Sequence, residues 1–311
     1  MSDLRIGLIG GSGLGEALSQ RSEGVAHVIQ TPFGMPSAPI IETQWDDIAV
    51  FFLHRHGVGH TIPPSQINSR ANIFAMKKLG VTHIIASGAV GSLREEYKPR
   101  DLVIPDQIID KTHRPSTFYE RAAVHVEFSE PFCPVLRRIL LESVPTEQTG
   151  SAVHDGGCYV CMEGPAFSTR AESLMHRLWG GDLIGMTAMP EAKLAKEAEI
   201  SYALVALVTD YDCWKNSPAK NQVTQPNASA LLKEIIANLQ EATQNAIELI
   251  RRAIARIASD PSRLKECPAR EALKLAIWSD RSKIAKDEVE RLAPLWINYF
   301  RPLIRLPLGV I

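Results

Sequence analysis

The 311-residue sequence lacks the features that mark membrane, nucleic-acid-binding and secreted proteins. No uninterrupted apolar run reaches about 18 residues, so no transmembrane helix is expected. Acidic and basic side chains nearly cancel, 35 against 34, which leaves no broad charged surface for nucleic acid or lipid. The opening stretch MSDLRIGLIGGSGLG has no apolar core of the secretory kind. We therefore expect a cytoplasmic protein with neither nucleic-acid nor membrane partners.

Cysteine is scarce and its count is odd, which argues against a disulfide framework. The five cysteines are Cys133, Cys158, Cys161, Cys213 and Cys267. Cys158 and Cys161 match the C-x-x-C pattern, but they lie in the apolar run GGCYVCME, which is typical of a strand. A redox pair would normally open a helix instead. We interpret the two as core cysteines, with a redox or metal role as the minor alternative.

Short apolar runs alternate with stretches of helical periodicity, and no segment is repeated. The predicted strands are Ile6–Ile9, Ile48–Leu53, His83–Ala86, Leu102–Ile104, Cys158–Met162, Leu183–Met186 and Leu204–Val208. The predicted helices between them are Asn68–Leu79, Pro134–Glu142, Arg170–Leu178 and Pro190–Ala198. Such alternation is typical of an α/β protein with a mixed and largely buried sheet.

The character of the chain changes after Lys215. Residues 216–226 are polar and include two prolines, which predicts a loop. Apolar residues then recur at helical spacing over Ala228–Ala258. We divide the chain into a main domain, residues 1–258, and a helical C-terminal extension, residues 259–311.

The extension contains two stretches of helical pattern, Ala269–Ile277 and Lys286–Leu292. Three aromatic side chains, Trp296, Tyr299 and Phe300, follow them among prolines. Because large aromatic groups favour burial, we expect the extension to pack on the main body or on a neighbouring subunit.

Five segments rich in glycine, small or charged residues follow predicted strands. They are GGSGLG (residues 10–15), HRHGVGH (54–60), ASGAVGS (86–92), Met186-Thr187 and TDYDCW (209–214). Sheets of α/β proteins bind ligands beyond the ends of their strands. The repetition therefore indicates that these segments form one binding site.

The first two of these segments suit an anion. Glycines let backbone N–H groups approach an anion closely, and Ser12 adds a hydroxyl donor. The glycine order does not match the dinucleotide pattern G-x-G-x-x-G, so a plain tight turn is the alternative there. Arg55 beside His56 favours an oxyanion, since a guanidinium can bind two oxygens at once. A metal site at His54 and His56 is conceivable, but no acidic residue or cysteine lies nearby to complete it.

Eleven ordered motifs span about residues 5–215. They are GLIGGSGL, TPFG (31–34), RHGVGH (55–60), NSRANIFAMK (68–77), GSLREE (91–96), DLVIPDQIID (101–110), EPFCP (130–134), MEGPAFSTRAES (162–173), MTAMPE (186–191), LAKEA (194–198) and TDYDCW (209–214). In these motifs the chain resembles the trimeric purine nucleoside phosphorylases, specifically their 5'-methylthioadenosine branch. The resemblance implies a mixed central β-sheet, partly barrel-like and flanked by helices, and a homotrimer or a dimer of trimers.

The resemblance also implies roles for individual residues. The phosphate site would use Ser12, Arg55, His56, Gly88, Ala89 and Thr187. The nucleoside site would use Val90, Phe167, Met186, Asp210 and Asp212, with His125 contributed by a neighbouring subunit. Relatives usually carry a hydroxyl or amide residue where Gly88 stands, so that phosphate contact is either missing or made by the backbone.

The base-binding positions imply a preference for 6-aminopurines. In the 6-oxopurine branch a glutamate follows the phenylalanine of G-P-x-F, and an asparagine occupies the later position. Here these positions hold Ser168 and Asp210. A carboxylate accepts a hydrogen bond from a 6-amino group but repels a 6-oxo oxygen. Asp210 would also be the catalytic residue that protonates purine N7, with Asp212 supporting the amino group.

The implied reaction is a pentosyl transfer. Inorganic phosphate, as co-substrate, would cleave 5'-methylthioadenosine to adenine and 5-methylthioribose 1-phosphate, without a metal or organic cofactor. The residues after TDYDCW and near the C-terminus, which line the methylthio pocket in relatives, do not match clearly. Adenosine, inosine or guanosine, and 5'-methylthioinosine therefore remain alternative substrates. A dinucleotide-dependent oxidoreductase and a non-enzymatic binding protein are the alternatives from other functional classes.

Overall fold

The structure is a computed structural model that describes residues 4–11, 24–146, 151–215, 228–296 and 298–300. The strands in these segments are β1 (Arg5–Gly10), β2 (Val25–His27), β3 (Ile40–Trp45), β4 (Ile48–His54), β5 (His83–Ser92), β6 (Leu102–Ile104), β7 (Gln107–Lys111), β8 (Val153–Asp155), β9 (Cys158–Met162), β10 (Leu183–Gly185) and β11 (Ser201–Asp210). The α-helices are α1 (Ser69–Lys78), α2 (Pro134–Glu142), α3 (Arg170–Leu178), α4 (Ala188–Glu197), α5 (Ala228–Ser259), α6 (Lys286–Arg291) and α7 (Ala293–Trp296). Short 3-10 helices cover Pro64–Gln66, Pro261–Glu266, Pro268–Glu271 and Arg281–Lys283.

Strand β5 organises the sheet because it pairs with three other strands. One edge pairs first with parallel β1 and then, at Gly91 and Ser92, with antiparallel β10. The opposite edge pairs with parallel β11 over most of its length. The sheet therefore branches at β5 into the path β2-β3-β4-β1-β5-β10-β9-β7 and the path β11-β6-β8. The predicted mixed sheet flanked by helices is confirmed.

Helices cover both faces of the central strands. Ile84 of β5 belongs to a core cluster that includes residues of α1 and α4. Its neighbour Ile85 points to the other face and belongs to a cluster with α2 and α5. Successive side chains of a strand point to opposite faces, so a strand buried on both sides must be apolar throughout. This explains why β1 and β11 are continuous apolar runs without alternation.

Local signals in the sequence account for several helix starts. Thr169 caps α3 through a capping box, in which its side chain accepts from the Glu172 backbone N–H and Glu172 accepts in return. Asn68 caps α1 by accepting from the Ala71 N–H at 3.1 Å. Pro134 opens α2, where a missing backbone N–H costs nothing.

The C-terminal extension packs into the same core as the central strands. Trp296 is fully buried, and its ring meets Tyr119 edge-on with centroids 4.9 Å apart. Phe300 packs edge-on against Trp296 at 4.6 Å. The division of the chain at residue 258 stays a prediction. None of the helices in the described segments is long and apolar enough to span a bilayer.

The helix predicted over Ala269–Ile277 is wrong. A 3-10 helix covers only Pro268–Glu271, and turns follow it. The carboxylate of Glu199 accepts from the Leu273 backbone N–H at 3.1 Å, and Ile277 forms a β-bridge with Val124. Tertiary partners therefore take the backbone groups that a continuous helix would have used.

The glycine-rich stretch 86–92 was predicted to follow a strand, but it belongs to β5. The strand continues because β11 on one edge and β10 on the other supply partners for its backbone. Strands β2, β3, β7 and β8 were not predicted, since they are short or carry polar residues. The predicted loop at 216–226 lies outside the described residues.

Candidate active site

Parallel pairing brings three chain segments together at one end of the sheet. Gly10 of β1 aligns with His54 of β4, and Ile9 aligns with Ala86 of β5. The residues that follow therefore meet. A Cβ atom added to Gly11 would lie 3.0 Å from Arg55 Nη1 and 3.2 Å from the Ser87 carbonyl oxygen. A side chain at position 11 would require these neighbours to move by a few tenths of an ångström. We call this region of Gly11, Arg55 and Gly88 the arginine end.

Arg55 is almost completely buried, and Glu191 binds it through two hydrogen bonds. Arg55 Nε donates to Glu191 Oε2 at 2.9 Å and Nη2 donates to Oε1 at 2.8 Å. Nη1 donates to the Ser87 carbonyl at 2.7 Å, and Tyr202 donates to Glu191 Oε1 at 2.7 Å. The sequence predicted that the Arg55 guanidinium binds two oxygens of an oxyanion. In the structure these two oxygens belong to the Glu191 carboxylate. Because Nη1 carries two N–H groups, one remains for a ligand at Gly11.

His56 lies beside Arg55 and is an uncharged imidazole at neutral pH. Its Nδ1 is 2.9 Å from the Ile62 carbonyl oxygen, so Nδ1 carries the proton and Nε2 is free to accept. Burial lowers the pKa of His56 to about 4, and the positive charge of Arg55 acts in the same direction. Its ring stacks on His60 with centroids 4.1 Å apart. A protonated phosphate oxygen is a suitable donor to Nε2.

The segment after β10 runs back along β5 and faces Gly88. A Cβ atom added to Gly88 would lie 3.4 Å from Thr187 Oγ1, and Ile184 pairs with Gly91 three residues away. Ala89, between these points, is only partly buried. Thr187 therefore lies at the arginine end, with Met186 next to it in the chain, and its role in phosphate binding stays a prediction.

The other end of the site contains two aspartates at the end of β11. Asp210 aligns with Gly91, and a Cβ added to Gly91 would lie 3.3 Å from Asp210 Oδ1 and from Asp212 Cβ. Val90 is buried, and its carbonyl accepts from Thr209 Oγ1 at 3.2 Å. We call Gly91, Asp210 and Asp212 the aspartate end. Gly88 and Gly91 are three residues apart, which in a strand is about 10 Å.

Asp210 is held by two protein donors. Its Oδ2 accepts from Thr209 Oγ1 at 2.7 Å, and its Oδ1 accepts from the Asp212 backbone N–H at 2.7 Å. Burial raises the pKa of Asp210 above its ordinary value, although both hydrogen bonds oppose that rise. A raised pKa is what a carboxyl group needs to deliver a proton near neutral pH.

One carboxylate oxygen of Asp212 lacks a hydrogen-bond donor among the described residues. Its Oδ2 is buried and has no hydrogen-bond partner among the described residues. Its backbone φ is +51°, a left-handed conformation that is uncommon outside glycine. Buried acceptors are nearly always satisfied in proteins, so a bound N–H group is the expected partner.

Two of the predicted site residues, Phe167 and His125, stand apart from the two ends. Ser12 lies outside the described residues. Phe167 is 85% exposed, on the loop before α3, where the carbonyl of its neighbour Ser168 accepts from Cys213 Sγ at 3.4 Å. His125 is exposed, and it contacts the C-terminal extension, with its ring edge-on to Trp278 at 4.7 Å. The roles of all three residues stay predictions.

Two structural residues of the site were not predicted. Glu191 stands in the motif MTAMPE, but its ion pair with Arg55 joins positions 136 residues apart. Arg114 donates from Nη1 to the Met186 carbonyl at 2.7 Å and from Nε to Glu163 Oε1 at 3.1 Å. It therefore ties the loop before α3 to the segment that carries Thr187. No local pattern in the sequence could have indicated either contact.

The described residues include no group of three or more His, Cys, Asp or Glu side chains arranged to hold a metal ion. All five cysteines are free thiols. Cys158 and Cys161 lie in β9, as predicted, rather than at a helix start. Burial raises the pKa of Cys158 to about 11, which makes it a poor nucleophile.

Comparison with known proteins identifies the family. The sequence profile described as Phosphorylase superfamily matches residues 5–255. S-methyl-5'-thioadenosine phosphorylase of Geobacter sulfurreducens is 45% identical over 290 residues, which cover 92% of this chain and 96% of that protein. The enzyme of the same name from Chloroflexus aurantiacus is 46% identical, over 96% of this chain and all of its own length. The chain belongs to the S-methyl-5'-thioadenosine phosphorylase family of this superfamily.

Solved structures of the family agree with the fold. A methylthioadenosine phosphorylase from an Antarctic soil metagenomic library superimposes with a TM-score of 0.81 and 41% identity, covering 95% of this chain and 99% of that one. The Schistosoma mansoni methylthioadenosine phosphorylase in complex with adenine gives 0.77 and 34%, covering 88% and 99%. The resemblance inferred from the motifs is confirmed.

The buried ion pair gives a first prediction. Glu191→Ala would leave the Arg55 guanidinium buried without its counter-charge, and we expect a loss of about 3–5 kcal/mol in the free energy of unfolding. Urea unfolding followed by circular dichroism measures it. Glu290→Ala, which removes one partner of the exposed pair Lys286–Glu290, is the matched control and should cost below about 1 kcal/mol. Equal losses in the two variants would contradict the role assigned to Glu191.

Proposed function

We propose that the protein catalyses the phosphorolysis of 5'-methylthioadenosine, giving adenine and 5-methylthioribose 1-phosphate. The observation that carries the proposal is the aspartate end, where two carboxylates meet beside Gly91 and one buried oxygen lacks a donor. A 6-amino group supplies that donor, whereas a 6-oxo group would place a lone pair against it. The names of the relatives support the same substrate. The reaction serves purine and methionine salvage.

The proposed chemistry requires no metal or organic cofactor. Phosphate binds at the arginine end and attacks C1' from the face opposite the base. The C1'–N9 bond breaks, its electron pair goes to the purine, and Asp210 gives a proton to N7. The products are the neutral purine and the inverted sugar phosphate. Most of the acceleration then comes from positioning and from charge stabilisation.

The arginine end supplies donors for the phosphate. One Nη1 N–H of Arg55 and the Thr187 hydroxyl lie there. His56 accepts a proton-bearing oxygen at Nε2, which favours a phosphate that still carries hydrogen. Glycine at position 88 has no side chain to donate, so any contact with phosphate at this position comes from the backbone.

Product analysis tests this function directly. Adenine or hypoxanthine release from 5'-methylthioadenosine, adenosine and inosine is measured with and without phosphate. We expect phosphate-dependent cleavage that is faster on 5'-methylthioadenosine and adenosine than on inosine, because their 6-amino group satisfies Asp212. Of these, 5'-methylthioadenosine should be cleaved fastest, since it is the substrate named for the relatives. Cleavage without phosphate would indicate a hydrolase, and a preference for inosine would show that the role given to Asp210 is wrong. Equal rates on adenosine would keep the class but remove the 5' preference.

The acid role of Asp210 has its own test. Asp210→Asn keeps the shape of the side chain but cannot deliver a proton, so kcat should fall about 10²–10⁴-fold. Steady-state kinetics on 5'-methylthioadenosine measures it, and thermal unfolding checks that the variant remains folded. Unchanged turnover would overturn the assignment.

We propose further that the working unit is a homotrimer, or a dimer of trimers, in the cytosol. His125 and the 72% exposed Trp278 lie together on an exposed surface, and the side chain of Phe167 is also exposed. Five free thiols suit a reducing compartment. Light scattering should give the mass of three or six 34.3 kDa chains. A monomer that is fully active would contradict the shared site.

A further inference from the structure

The segment where β10 passes into α4, residues 186–189, is not held by the helix that it opens. Met189 has an extended backbone, with φ −113° and ψ 138°, so the chain is not helical at this point. Thr187, two residues earlier, stands at the N-cap position but makes no capping hydrogen bond through its side chain. Its hydroxyl oxygen, which would lie 3.4 Å from a Cβ atom added to Gly88, is therefore not used by the helix.

Arg114 holds this segment from the loop after β7. Its Nη1 donates to the Met186 carbonyl at 2.7 Å and to the Met189 carbonyl at 3.2 Å. Only 6% of the Arg114 side chain is exposed. Hydrogen bonds from a charged donor are roughly twice as strong as those between neutral groups. Because the two carbonyls come before and after Thr187 in the chain, Arg114 fixes the backbone on both sides of that residue.

The guanidinium group is itself held in place by Glu163. Arg114 Nε donates to Glu163 Oε1 at 3.1 Å, and Nη2 donates to the Glu163 carbonyl oxygen. The other carboxylate oxygen of Glu163 accepts from the His113 backbone N–H at 2.8 Å. The neighbouring Gly164 packs against Met186, since a Cβ atom added to it would lie 2.5 Å from Met186 Sδ. A planar group with acceptors on several of its edges has little freedom to rotate, so the support is rigid.

We infer that Arg114 is a positioning residue for the phosphate site and that it acts through Thr187. It holds the Thr187 hydroxyl where a phosphate at the arginine end can accept from it. One guanidinium group, with five donors in a fixed plane, serves three carbonyls and a carboxylate, which a lysine ammonium with three donors cannot do. The inference rests on the proposed function, since it names what sets the affinity for phosphate at that site.

Substitutions of Arg114 test this role by steady-state kinetics in which phosphate and 5'-methylthioadenosine are varied separately. We expect Arg114→Met to raise the KM for phosphate by about 10- to 100-fold, the range for residues that orient a primary contact. The KM for phosphate should change more than kcat or the KM for the nucleoside. Arg114→Lys keeps the charge and part of the donor set, so its KM for phosphate should fall between those of the wild type and Arg114→Met. It also serves as the test if the methionine variant does not fold.

A double-mutant cycle shows whether Arg114 acts through Thr187. Thr187→Val removes the hydroxyl and keeps the shape of the side chain. If Arg114 only positions that hydroxyl, the double variant should have the same KM for phosphate as Thr187→Val alone. Two independent effects would multiply instead, and that result would overturn the inference. An unchanged KM for phosphate in Arg114→Met would overturn it as well.

Arg137 provides a matched control. It donates from Nε to the Pro105 carbonyl at 3.0 Å and from Nη2 to the Ile104 carbonyl at 3.4 Å, and it pairs with Asp155. None of these partners belongs to the arginine end or the aspartate end. Arg137→Met should therefore lower the melting temperature without changing the KM for phosphate. If the wild type cleaves no nucleoside with phosphate, the proposed function fails, and calorimetric titration with inorganic phosphate then tests the same variants for the role of Arg114.

Discussion

The buried ion pair between Arg55 and Glu191 is the interaction on which the rest of the site depends. It joins the end of β4 to helix α4, and through the Ser87 carbonyl it also fixes β5. Two buried charges are stable only when each is neutralised and hydrogen-bonded, and here Tyr202 and Ser87 complete the network. The remaining Nη1 N–H is therefore pre-oriented before any phosphate arrives.

Small residues on β5 set the distance between the two ends of the site. Glycine at 88 and 91 lets Thr187 approach on one side and both aspartates on the other. A side chain at Gly91 would press on Ile184 at 3.1 Å and on Asp210 at 3.3 Å. The three-residue spacing of Gly88 and Gly91 along the strand separates the anion-binding end from the base-binding end by about 10 Å.

The two aspartates differ because their environments differ. Asp210 has protein donors on both oxygens and a pKa raised by burial, which suits proton delivery. Asp212 has a buried oxygen that no described group satisfies, which suits recognition of an amino group. Sequence reasoning placed both at one site, since they follow the same strand. It could not assign their surroundings, because Gly91 lies on a different strand and approaches them only in the tertiary fold.

The sequence by itself determined the α/β class, the central strands and most helix bounds, because apolar periodicity and capping residues act locally. It also placed the binding segments at strand ends and, through its motifs, identified the phosphorylase family. Only the tertiary structure decided that β5 continues through the glycines to Ser92 and that residues 272–277 are not helical. The same is true of the partner of Arg55. Each of these depends on groups brought together from distant positions in the chain, and no local pattern records such contacts.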